Sequence, residues 1–381
     1  MDALLTFARV EFGVSAGLHF LFVATTLGLA PMLALLSTAH AATGRSHLAR
    51  ATDHVARLYV VGYGLGIVSG IVVEVQLGLN WSGGPSGAYD AIGTALAIET
   101  VLAFFVETSL LGLWLASAGR WPAGVRALLL WGVAVAAYAS AAIVLAANGS
   151  LHRPEGVAAD GALVDPVAML LNPSGVAATW HVAGASAVVG GFWIAAAAAH
   201  LMLRRADFEV ARTLVRAGVW QVALGAPVAI VAGFAQFAVA RVGATEAEEG
   251  AWGLLLALMM LVGVLVLGAT WLVMVPMLVR TAIARARWLQ RCMVALVWVP
   301  LATTLMGWVY REEARQPWFV VGVVRTADAA SLAPAWALVP GGLVLMAISI
   351  AATVLAWVAM HRILAVDRVT PLAVDALAAP S

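Results

Sequence analysis

The feature that most constrains this chain is the recurrence of long apolar runs from one end to the other. About 20 apolar residues cross the hydrocarbon core of a bilayer as a helix. Nine segments qualify: Phe12–Thr38, His54–Leu79, Gly93–Ala118, Val125–Ala147, Val176–Leu203, Ala211–Ala240, Trp252–Val279, Leu289–Val309 and Ala335–Leu364. The expectation is an all-α, polytopic membrane protein of about nine transmembrane helices. Composition points the same way, with 63% hydrophobic and 11% charged residues and a mean hydropathy of +0.97, unlike an ordinary soluble globule. The runs fill the chain, so residues 1–368 read as a single transmembrane domain and 369–381 as a disordered cytoplasmic tail. Asp2, Arg9 and Glu11 precede a first run that continues to Thr38. That is too long for the apolar region of a signal peptide, so it reads as the first span.

Arginine sets the expected orientation. Arg45 and Arg50 follow the first span, Arg120 and Arg126 the third, Arg204, Arg205 and Arg212 the fifth, Arg280, Arg285 and Arg287 the seventh, and Arg368 the ninth. The alternate connections are poor in Arg or rich in acid. By the positive-inside bias the N-terminus lies outside and the C-terminus in the cytoplasm. One connection departs from the pattern: Arg311–Pro334 is external on this reading, carries three Arg, and needs a functional reason. The chain contains no Lys, all 21 Lys+Arg residues being Arg. A net charge of +1 with no basic tract argues against nucleic acid as a partner. Cys292 stands alone, which excludes both an intrachain disulfide and a covalently attached C-x-x-C-H haem.

Ionisable and metal-ligating side chains inside spans are costly and mark cavities, cofactors or partners. His19 lies two turns into the first span. Glu99 is similarly deep in the third, and Glu107 lies eight residues further on, about 12 Å along an α-helix. His181 opens the fifth span, Met259 lies two turns into the seventh, and Glu312 and Arg315 follow the eighth. Most of these converge on the outer half of one bundle. Singly, each has a plain structural reading: a His bridging helices, a Met packing beside Met260, an acid paired with a partner's Arg. Together they favour a cofactor site, since His and Met are common axial ligands of haem and bundles hold cofactors between facing helices. Glu99 and Glu107 on a similar face would suit a proton path from the cytoplasm. A pair of protonated buried acids reads equally well. His40, His47, His54, His200 and His361 fall at cytoplasmic ends and read as solvated or interfacial.

Several of these stretches resemble subunit I of cytochrome bd-type terminal oxidases. They are G-L-H-F-L-F-V around His19, V-E-V-Q-L-G-L-N-W from Val73 to Trp81, L-A-I-E-T-V-L-A-F-F-V-E from Leu96 to Glu107, A-N-G from Ala147, and L-N-P from Leu171. The most specific is G-W-V-Y-R-E-E-A-R-Q-P-W from Gly307 to Trp318. The resemblance spans all nine segments in order and implies three haems. His181 and Met259 match the axial pair of a low-spin haem b. His19, Glu99 and Glu312 match the ligands of a high-spin haem b and a haem d or further haem b. Glu107 matches the inner proton-path acid, and Trp308 and Arg315 match residues beside the high-spin pair, Arg315 at a propionate. The resemblance further implies a second membrane subunit, O2 as oxidant and a multi-pass location in the bacterial inner membrane.

The departures concern the electron donor. The family's long connection between spans 6 and 7, with a Lys and a Glu at the quinol, shrinks here to Arg241–Gly250. Ser150 stands where an aromatic is usual and Ala257 where an Arg precedes the haem Met. Three function classes follow: an oxidase fed by quinol or by a small redox protein such as a c-type cytochrome or copper protein; a haem sensor or assembly factor without turnover; and a proton-coupled transporter.

Overall fold

The computed structural model describes residues 2–83, 90–158, 162–239 and 251–365. The acids of the 241–250 connection, Glu246, Glu248 and Glu249, and the tail from 366 lie outside the described residues. Without water in the hydrocarbon layer a spanning segment must satisfy its own backbone, which leaves the helix as the solution for runs of this length. Among the described residues nine helical stretches are long and apolar enough to cross a membrane, one for each predicted segment.

The first two spans are α1 (Asp2–Thr43) and α2 (Ser46–Asn80). The third is composite: α3 (Asp90–Glu99), a π-helical stretch over Thr100–Glu107, then α4 (Thr108–Ala116). The fourth is α5 (Ala123–His152). The fifth joins a short α6 (Pro166–Leu170) to α7 (Pro173–Arg204), and α8 (Phe208–Val239) is the sixth. The seventh runs as α9 (Ala251–Ala269), a π turn over Thr270–Met274 and α10 (Val275–Val279). The eighth breaks between α11 (Arg287–Ala295) and α12 (Val299–Ala314). After α12 come a hairpin of β1 (Trp318–Val320) and β2 (Val324–Arg325), a single turn α13 (Thr326–Ala329), and α14 (Ala335–Leu364) as the ninth span. Successive spans alternate in direction. We call the end where α1 begins the near end.

The core is built on small residues. α1 and α7 are the most buried spans, and they meet at Gly28 and Gly190, where a Cβ on either would strike the other backbone. Close approach of this kind replaces the missing hydrophobic drive between helices in lipid. Gln221 of α8 ties the crossing, its Nε2 donating to the Gly28 carbonyl at 2.6 Å. The start of α7 is fixed by sequence. Asn172 accepts from the backbone N–H groups of Ser174 (2.9 Å) and Gly175 (3.4 Å), and Pro173 occupies the first helical position. A cap of this type is worth about 1 kcal/mol.

At the far end Arg50 Nε donates to Asp207 Oδ2 at 2.8 Å, joining α2 to the α7–α8 turn. That hydrogen bond holds the Asp207 carboxyl below its ordinary range. At the near end the hairpin and α13 close over the bundle. Phe319, Val320, Val324 and Ala329 pack with Trp81, Ile92 and Leu151, and Val321 N–H donates to the Leu151 carbonyl at 2.9 Å. The Arg-bearing segment 311–334 is therefore an ordered plug rather than an open loop, and its first residues are the last turn of α12.

Candidate functional site

His19 on α1 faces α2. Its Nδ1 lies 3.0 Å from Ser69 Oγ, and that hydroxyl donates its proton to the Gly66 carbonyl at 2.8 Å. The hydroxyl can then only accept from the ring, so Nδ1 carries the hydrogen and Nε2 presents a lone pair. His181 on α7 is fixed in the same sense: Nδ1 lies 2.7 Å from the Ala229 carbonyl of α8, an acceptor only. Both imidazoles thus have the tautomer an axial haem ligand needs, each with the outer-shell partner that metal-bound His normally keeps.

Glycine seats two of these groups. A Cβ at Gly233 would stand 3.0 Å from His181 Nδ1, and a Cβ at Gly307 would stand 2.5 Å from Met259 Sδ. Met259 is half-buried, whereas Met260 is 38% exposed on the outer face of α9. Trp308 turns to the other side of α12, against Gly17 and Phe20 of α1 (ring centroids 6.5 Å from Phe20). The α12 helix therefore stands between the Met259 side and the His19 side.

Glu312, in the last turn of α12, is held at both oxygens. Asn148 Nδ2 of α5 donates to Oε1 at 2.9 Å and Arg315 donates to Oε2 at 2.8 Å. Arg315 also donates to the carbonyls of Trp318 and Phe319, which anchors the plug to α12. A carboxylate oxygen accepts more than one bond, so each retains a lone pair. Arg311, one residue back, spends its guanidinium on neutral acceptors: Asn148 Oδ1 (3.1 Å), Gln236 Oε1 (2.7 Å) and Ser174 Oγ (3.2 Å). Arg9 of α1 pairs with Glu313 at 3.0 Å. Two of the plug's three Arg therefore serve one buried network around Glu312 and Asn148, and the partly exposed Arg9–Glu313 pair stands apart from it.

Glu99 accepts from Ser140 Oγ of α5 at 3.3 Å. Since Asn148 holds Glu312 from the same helix, eight residues or about 12 Å further on, α5 is a common backing for both acids. Glu107, 3% exposed, accepts instead from the Tyr59 hydroxyl of α2. Tyr63, stacked on Tyr59 at 5.9 Å, donates to the Ala103 carbonyl and lies 2.7 Å from Thr108 Oγ1. The two acids take different hydrogen-bond partners, Glu99 on α5 and Glu107 on α2, and the turns between them are π-helical rather than α-helical. His54 is likewise not interfacial. It is 1% exposed, on the face of α2 that carries Ala51, Val55 and Leu58 into the core.

The sequence reading missed several neighbours. Ser69, Asn148 and Ser140 are small polar residues in apolar runs and carry no signal by themselves. Tyr59 and Tyr63 had one, an i,i+4 pair in a chain with five Tyr. His152 follows Asn148 by one turn of α5, and its Nε2 is buried without a hydrogen-bond partner. Among the described residues no three His, Cys, Asp or Glu side chains gather closely enough to hold a bare metal ion. Isolated ligands on separate helices suit iron whose other positions are filled by a porphyrin.

A family model for cytochrome bd terminal oxidase subunit I matches residues 7–242 and 251–368. The chain belongs to that family. Cytochrome bd ubiquinol oxidase subunit 1 of Bacillus subtilis (strain 168) is 32% identical over 206 residues, 53% of this chain and 44% of its own length. Cytochrome bd-II ubiquinol oxidase subunit 1 of Escherichia coli (strain K12) is 32% identical over 212 residues, 54% and 41% respectively. The chain thus spans less than half the length of the curated relatives it matches. Among solved structures, that of bd oxidase from Geobacillus thermodenitrificans superposes with a TM-score of 0.82 at 19% identity, covering 94% of this chain and 98% of that one. At that identity the likeness speaks for the fold. Family membership and nine apolar spans make this a multi-pass protein of the bacterial cytoplasmic membrane.

Proposed function

We propose that the chain is the haem-carrying subunit of a bd-type terminal oxidase that reduces O2 to water. The observation that carries the reading is the fixed tautomer of His19 and His181, each offering Nε2 from a ring whose Nδ1–H is already engaged. His181 and Met259 would hold a low-spin haem b. His19, Glu99 and Glu312 would serve the high-spin pair, a haem b and a haem d or further haem b. When bound, the haems supply electron transfer and the binding of O2.

The remaining roles belong to side chains. Arg315 holds Glu312 through a charge-assisted hydrogen bond and anchors the plug, and Trp308 walls the His19 side. Glu107, enclosed by Tyr59, Tyr63 and Thr108, can hold a proton and pass it toward Glu99 from the cytoplasmic side, with the N-terminus outside. A second membrane subunit would complete the enzyme.

The donor is the point at which this chain departs from its relatives, two of which are named as ubiquinol oxidases. The short connection 241–250 and the absence of Lys disfavour a quinol pocket, and the connection's three acids, Glu246, Glu248 and Glu249, favour a small basic redox protein instead.

A pyridine haemochrome assay with optical spectra of the purified complex tests the whole reading. Expected are several haems per chain, with the low-spin signal lost in His181→Ala and Met259→Leu while high-spin absorption persists. A haem-free complex, or a low-spin spectrum unchanged in both variants, refutes it.

A further inference from the structure

The α1 and α2 helices run antiparallel and are joined by two polar rungs. Near the bundle's near end Asn80 Nδ2 donates to Glu11 Oε1 at 2.5 Å. Two turns deeper on α1 and three on α2, His19 meets Ser69. One turn in from the first rung, on both helices, stand Ser15 and Gln76, each 0% exposed. Ser15 Oγ, Gln76 Oε1 and Gln76 Nε2 have no hydrogen-bond partner, and neither has Glu11 Oε2. The third wall is α14. Glu11 packs on Gly342, where a Cβ would strike its carboxyl group. Ser349, seven residues on and so on the same face, is buried with its Oγ unpartnered.

Five unpartnered polar atoms on three adjoining helices are not a tolerable end state. Each buried polar group left unpaired loses the hydrogen bonds it made to water in the unfolded chain, so a native structure leaves few of them. A direct Ser15–Gln76 bond would still leave one end of the amide unpaired. Small ligands that both donate and accept resolve them, and buried waters, each making about three hydrogen bonds to such groups, are those ligands.

We propose that α1, α2 and α14 enclose a water-binding site at Ser15 and Gln76, which completes a hydrogen-bonded file from Glu11 to the Ser69–His19 pair. The inference rests on the proposed role of His19 for its function but not for its existence. Carboxyl, water and hydroxyl groups can each give and take a proton, so the file links a buried acid at the near end to the outer shell of the proposed haem ligand. A change of charge at the iron would be felt at Glu11.

Two measurements on the purified complex test this. High-resolution density should show ordered water within hydrogen-bond distance of Ser15 Oγ and the Gln76 amide. Well-packed side chains with no water between them overturn the site, whatever the haem content. Redox infrared difference spectra should contain a carboxyl or carboxylate band that disappears in Glu11→Gln. In Gln76→Leu, which fills the position with an apolar group, the band should cease to respond to haem reduction. Ser15→Ala serves as the milder variant if Gln76→Leu fails to assemble. A Glu11 band that ignores reduction, or responds equally in the variants, overturns the link. Haem content of His19→Ala, measured alongside, judges the ligand assignment separately.

Discussion

Gly307→Ala is the sharpest test of the low-spin site, because the structure fixes what the added methyl meets. The new Cβ would stand 2.5 Å from Met259 Sδ, with Cγ and Cε at 3.8 and 3.9 Å. Comfortable heavy-atom contacts are about 3.5–4.0 Å, so the sulfur must retreat by roughly 1 Å while the rest of the side chain need not move. Retreat of α12 is blocked on its opposite face, where Leu305 and Trp308 already press on Gly17 at 2.9 and 3.3 Å from its Cβ position. For a sulfur held by iron, overpacking of this kind costs about 1–3 kcal/mol, equivalent to a roughly 5- to 160-fold shift against the seated sulfur. A Met that merely packs can rotate away with no spectral trace. A Met bound to iron cannot. The expected result is conversion of the low-spin haem to a high-spin form with haem content retained, and a lower midpoint potential because thioether ligation raises it. Magnetic circular dichroism and a spectroelectrochemical titration read both, with Met259→Leu as comparator. A Gly307→Ala complex with an unaltered low-spin spectrum and potential refutes the role of Met259.

Ser69→Ala removes the acceptor of His19 Nδ1–H and should weaken haem retention at that position about 10- to 100-fold, seen as substoichiometric haem after extended washing; full occupancy would show that His19 needs no orienting partner. Glu107→Gln should slow turnover roughly a hundredfold with all haems present, whereas Glu99→Gln or Glu312→Gln should disturb the high-spin spectrum. An active Glu107→Gln enzyme would make that carboxyl structural. Oxidation of a small basic redox protein should be supported and should fall steeply with ionic strength; rapid, salt-insensitive quinol oxidation blocked by quinone-site inhibitors would defeat that reading. At the far end, the hydrogen bond from Arg50 holds the Asp207 carboxyl below its ordinary range. Its stabilisation is present above about pH 4 and disappears as pH falls through the depressed value. Asp207→Asn should therefore lower the melting temperature at pH 7 and make no difference at strongly acidic pH, and an equal loss at both would assign the effect to helix capping instead.

The membrane, the number of spans and the identity of the candidate ligands were legible in the sequence, because hydropathy is local and an ionisable residue in an apolar run is conspicuous wherever the chain places it. His19, Glu99, Glu107, His181 and Glu312 could all be singled out in that way, whereas Met259, one Met among twelve, stood out only through the family resemblance; the excess of Arg after residue 310 asked for a functional reason. What those residues face was decided only by packing. Nothing in a linear pattern shows that Ser69 receives the His19 proton, that Asn148 links Arg311 to Glu312, or that Gly307 seats the Met259 sulfur, since each pairing joins residues far apart in the chain across a helix interface. The clearest case is the third span. Spacing shows two acids eight residues apart; only the structure shows the π-helical turns between them and the partner each takes, Ser140 for Glu99 and Tyr59 for Glu107. Helical phase is a tertiary property there: Tyr63 takes the Ala103 carbonyl, and such insertion of a side chain into the backbone ladder is what lets a helix change its pitch.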